Sequence, residues 1–112
     1  MRRFRTLKQA TEDRQELQTY IDLIESYSPK NFTEHVIQLY VQLGNIKVTA
    51  SVLNDEGYQV ANRSMAGKDV TKIILSEPDP NDLLHQEVKR LYIQRNTRRD
   101  KDRELKEYFH RL

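Results

Sequence analysis

A chain of 112 residues, 32% of them charged and 37% hydrophobic, has enough apolar side chains for one small core and no more. It contains no cysteine, which excludes a disulfide scaffold, thiol catalysis and the common zinc patterns, and no apolar run long enough to span a membrane. The formal net charge of +2 excludes a uniformly basic surface, so any preference for an anionic partner must come from how the charges are distributed.

Met1-Arg2-Arg3-Phe4-Arg5 opens the chain with positive charge. It lacks the apolar segment that follows in a secretory signal, so a cytoplasmic location is expected. Arg2, Arg3, Arg5 and Lys8 form the first basic cluster. The second comprises Lys89, Arg90, Arg95, Arg98, Arg99, Lys101 and Arg103. Acidic residues concentrate between Glu12 and Glu34 and again at Asp79 and Asp82. Nothing repeats internally, and no segment is of low complexity.

The first helical pattern uses Leu17, Tyr20, Ile21 and Ile24, with Tyr27 near its end. Ser28-Pro29-Lys30-Asn31 interrupts it, because proline disfavours helix in the residue before it. A second helix should start near Thr33 as N-cap, with Val36, Ile37, Tyr40 and Val41 facing inward. Gly44 closes it, and Asn45 can begin a third.

In that third helix Ile46, Ala50 and Leu53 fall at i, i+4 and i+7 and share one face. Gly57 stands where a left-handed residue ends a helix, and Tyr58 can fold back on the last turn. The connection from Tyr58 to Gly67 reads as an extended loop, since Ala61-Asn62-Arg63-Ser64 has weak strand character. The alternative is a small β-ribbon using Tyr58, Val60 and Met65. Val70, Ile73 and Ile74 then repeat the helical spacing. Two short helices with small apolar faces, joined in this way, are the sequence pattern of a helix-turn-helix DNA reader.

Pro78-Asp79-Pro80 marks a stop and a restart, with Asp79 as N-cap and Pro80 in the first turn. From there to Leu112 neither proline nor glycine breaks the helix. Leu84, Val88, Leu91, Leu105, Phe109 and Leu112 follow an alternating four–three spacing, while Arg95, Arg98 and Asp102 fill the middle of the seam. Such a helix either packs back on the segment around Leu17–Ile24 or pairs with another subunit. The expected class is therefore all-α: a small helical bundle over residues 1–78, containing a helix-turn-helix at about 45–76. A long helix over 79–112 serves packing or oligomerisation, and the six apolar seam residues are the candidate oligomerisation surface.

Catalysis finds little support. His35, His85 and His110 are far apart and lack partners at metal-ligand spacing, and a solvated or helix-terminal role is expected for the last two. Three separated glycines cannot form a phosphate loop. No enzyme activity, cofactor, metal or small-molecule substrate is expected. For DNA, the second reading helix offers Lys68, Asp69, Thr71 and Lys72 on the side away from its apolar face. Arg63 and Ser64 precede it, where a positive charge and backbone N–H groups could hold a phosphate, and Arg2, Arg3 and Arg5 would add backbone contacts. Asp69 is the discordant member, because it repels phosphate unless it accepts from cytosine or caps the helix.

Ala50-x-x-Leu53-Asn54-x-x-Gly57-Tyr58, followed by Val70-x-x-Ile73-Ile74-Leu75, resembles the helix-turn-helix in the C-terminal DNA-binding region of large serine recombinases. The resemblance covers the middle third of the chain and implies a DNA-binding module without recombination, since residues before Glu34 supply no catalytic serine domain. Met65 stands where that family usually has an aromatic, and Ala66-Gly67 replace its helix-capping polar residues. The arrangement also resembles small phage and plasmid regulators and the small subunits of phage packaging terminases. Double-stranded DNA and a second copy of the chain are the expected partners, in a regulator that oligomerises through its last helix. The competing readings are a helical protein-interaction adaptor or antirepressor, and RNA binding through Arg95–Arg103, where interleaved acids argue instead for intrahelical ion pairs.

Overall fold

A computed structural model describes residues 4–111, with side chains from 4 to 97. Among these residues the chain forms five helices and one two-stranded hairpin, so the all-α expectation holds. α1 (Leu7–Glu25) opens on a capping box: the Thr6 hydroxyl accepts from the Gln9 N–H at 3.2 Å, and the Gln9 side chain accepts from the Thr6 N–H at 3.0 Å. The helix stops before Pro29, as the proline requires. Its inner face is Tyr20, Leu23 and Ile24, continued by Tyr27, whereas Leu17 and Ile21 point outward. At the end of the same face the Tyr27 hydroxyl donates to Asp82 at 2.9 Å, which joins it to the start of α5.

α2 (Phe32–Leu43) is capped by Asn31 rather than Thr33. Asn31 Oδ1 accepts from the Glu34 N–H at 2.9 Å and its amide donates to the Glu34 carboxylate. Thr33 cannot form such a reciprocal pairing, because the residue three positions on from it is the apolar Val36. Gly44, at φ +67°, ends α2, and Asn45 caps α3 (Ile46–Asp55) by accepting from the Val48 N–H at 3.0 Å. The α2–α3 corner is therefore only two residues long. α3 closes with a Schellman pair, Tyr58 N–H to the Leu53 carbonyl and Gly57 N–H to that of Asn54, with Gly57 at φ +93°.

The expected loop is a hairpin. β1 (Gln59–Val60) pairs antiparallel with β2 (Arg63–Ser64), with Gln59 opposite Ser64 and Val60 opposite Arg63. Ala61 and Asn62, at φ +50° and +63°, make the two-residue turn that matches the twist of paired strands. Of Ala61-Asn62-Arg63-Ser64, the first two form the turn and the last two form β2, and each strand needs only two residues. α4 (Gly67–Leu75) follows, and α5 (Leu83–Arg111) completes the chain. The N-cap of α5 is Asp82, not Asp79: Asp82 accepts from the His85 N–H at 3.0 Å, while Asp79 closes a local turn onto the Asn81 N–H.

Val36 and Ile37 of α2, Ala50 and Leu53 of α3, Met65, Val70 and Ile74 around α4, and Leu84 and Val88 of α5 form one core. Leu84 and Val88, expected between subunits, are thus committed within the chain, and Leu91 is half-buried. Leu105 and Phe109 lie outside the described side chains, and Leu112 lies outside the described residues. His85, expected in solvent, is buried, and its Nε2–H donates to the Ile74 carbonyl at 3.0 Å, which ties the end of α4 to the start of α5. No helix of the described residues is long and apolar enough to cross a membrane.

Candidate nucleic-acid interface

The α3–hairpin–α4 unit is held by contacts that fix where each polar group of α4 points. Ala50 and Leu53 on one side meet Val70 and Ile74 on the other. Gly67 allows the two helix starts to approach: a Cβ there would lie 3.1 Å from the Ile46 side chain, tighter than ordinary contact. Asn54 joins α3 to the exit of the hairpin. Its amide donates to the Met65 carbonyl at 3.0 Å and its Oδ1 accepts from the Met65 N–H at 2.6 Å, so one side chain satisfies both backbone groups of a buried residue.

Asp69 does not share the outer face of α4 with Lys68 and Lys72. Its side chain is 11% exposed, and Arg63 holds it with two hydrogen bonds of 2.8 Å, one to each carboxylate oxygen. Asp69 Oδ2 also accepts from the Ala66 N–H at 2.8 Å, which supplies the helix start with the cap that Ala66 lacks. The Arg63 guanidinium, then the Ala66 N–H, hold the Asp69 carboxyl well below the usual carboxylate range, and Asp69 in turn raises Arg63. The anion at the start of α4 is therefore the protein's own carboxylate, and Arg63 is engaged in binding it. Ser64 lies exposed on β2 beside this pair.

What remains outward on α4 is Lys68 and Lys72, one turn apart, with half-buried Thr71 between them and Leu75, 40% exposed, at the end. Among the described residues no carboxylate lies within ion-pair distance of either lysine. Arg5 pairs with Asp13 at 3.2 Å on α1, which packs chiefly on α5. Arg2 and Arg3 lie outside the described residues. One cation that sequence reasoning missed is Lys47, in the first turn of α3. It borders an open cleft of about 340 Å³ at the α2–α3 corner, together with Asn45, Tyr92, Arg95 and Asn96. Its signal was present, a lysine just after the Asn45 cap, but nothing in sequence brings α5 across to it.

One further pair belongs to structure. His35 pairs with Glu56 at 2.7 Å and stacks near Tyr58, so it fastens α2 to the end of α3. Among the described residues no three histidines and carboxylates are grouped to hold a metal ion. Compared with protein-family models, with curated proteins and with solved structures, the chain matches none.

Proposed function

We propose that this chain binds duplex DNA through the α3–hairpin–α4 unit, with the outer face of α4 in the major groove. The observation that supports this most is the fate of Asp69. Turned inward and neutralised by Arg63, it leaves an outer face whose charged groups are lysines alone, which suits phosphate or guanine contact. Lys68 and Lys72 would make those contacts, Thr71 and Leu75 would meet thymine methyl groups, and Ser64 would sit at the edge of the groove. Arg63 and Asp69 set the position of α4 rather than touching bases. A role in transcription regulation of phage or plasmid type is the wider reading.

The experiment is a salt series on duplex binding by the intact chain. Replacing Lys68 and Lys72 with alanine should weaken binding across all sequences and lower the salt slope by about one for each phosphate no longer neutralised. Affinity that ignores both salt and the two substitutions would reject the proposal. The protein-interaction reading has its own support in exposed apolar residues on α1.

A further inference from the structure

Among the described residues, α1 carries a face that nothing covers. Leu7, Ala10, Leu17 and Ile21 fall at alternating three- and four-residue spacing once Arg14 is counted, so they form one stripe along the helix. All are exposed, Leu7 at 85% and Leu17 at 61%. From Leu7 to Thr19 no residue except Asp13 is even half-buried. A helical segment of this length is marginal in water without tertiary packing, and one capping box adds only about 1 kcal/mol.

The charges of α1 point to what covers it. Its first half carries Lys8 and Arg14, preceded by Arg5, against Glu12 and Asp13. Its second half carries Glu16, Asp22 and Glu25 with no basic residue. The first turn holds no acid and the last turn no base, so the ends are charged in the sense that opposes the helix dipole. This pattern is unfavourable for a lone helix. An antiparallel copy reverses the balance, because each basic, dipole-positive start then lies beside an acidic, dipole-negative end.

We propose that α1 pairs antiparallel with α1 of a second copy of this chain, burying the Leu7–Ala10–Leu17–Ile21 stripe in a two-fold interface. Arg14 can lie in the seam with its methylenes along the apolar strip and its guanidinium at the edge. The pairing stands independently of DNA binding, and its test contains no DNA.

Sedimentation of the intact chain over about a hundredfold range of concentration should show a monomer–dimer equilibrium. The double substitution Leu17→Glu, Ile21→Glu should abolish the dimer while the thermal unfolding of the core persists, since both positions are on the surface. Orientation is read separately, in a chain that has no native cysteine. With a short bis-maleimide, Leu7→Cys and Asp22→Cys chains should cross-link to one another when mixed, and neither to itself. A monomer at every concentration, a dimer that survives the double substitution, or Leu7→Cys cross-linking to itself would each overturn the proposal.

Discussion

α3–hairpin–α4 and α1 are both built from amphipathic helices, yet they are stabilised in opposite ways. In the first, nine- and ten-residue helices too short to persist alone are fixed by complete burial of Leu53, Val70 and Ile74 and by the Asn45, Asn54 and Asp69 side chains, which bond backbone groups at the helix starts and the hairpin exit. In the second, nineteen residues with good local capping have no fully buried residue at all. An open groove of about 740 Å³ separates α1 from α5 along Glu16, Tyr20 and Glu87. Length and local signals make a helix legible, but burial decides whether it is stable by itself.

The contrast predicts that Leu53→Ala has the largest effect. It empties a site with no exposure and should cost about 3 kcal/mol, within a range of about 2–5, measured by urea unfolding. Leu17→Ala, in solution dilute enough to keep the chain monomeric, should change stability by less than about 0.5 kcal/mol. Equal costs would mean that α1 is packed as tightly as the core. Asn54→Ala should come next. It leaves the N–H and carbonyl of buried Met65 without partners, and each such group costs about 1–3 kcal/mol. A neutral Asn54→Ala would show that the hairpin is not held to α3 through this side chain.

The parts of this fold that were legible in sequence are those governed by local chemistry. Gly44 and Gly57 announce their helix ends because a left-handed backbone favours glycine, Asn45 announces a helix start because its side chain can cap it, and Ala50, Leu53, Val70 and Ile74 announce a face by spacing. What stayed hidden depends on residues distant in sequence. Asp69 and Lys72 look alike as polar residues beside an apolar stripe, and only Arg63, placed by the hairpin, draws Asp69 inward. Leu84 and Val88 have the spacing of an intersubunit seam as well as of a core, and nothing local shows that α2 and α4 lie against them. Asp82, which caps α5 in place of Asp79, also accepts from the Tyr27 hydroxyl, a partner more than fifty residues earlier that no local signal announces. For the candidate interface the consequence is specific: sequence supplied the lysines and offered helix capping as one role for Asp69, while its pairing with Arg63 could be seen only in three dimensions.

The ion pairs give the finest version of the same contrast. Arg5–Asp13 on α1 is exposed on both sides, 51% and 44%, so its loss in Arg5→Ala should change stability by less than about 0.5 kcal/mol. Arg63–Asp69 differs in that the carboxylate is covered, doubly bonded by the guanidinium and also bonded to the helix start. Because the folded-state carboxyl is held below its unfolded value of about 3.9, Asp69 contributes stability above that pH. That contribution declines as the pH falls through the window between the unfolded and folded values. Asp69→Asn removes the titrating group, so wild type should be the more stable protein from neutral pH down to about pH 5. The two stability curves should then approach each other as acid is added. Curves that stay parallel down to the acid limit would show that the pair is as loosely coupled to folding as the exposed one on α1, and the inward placement of Asp69 would lose its energetic basis.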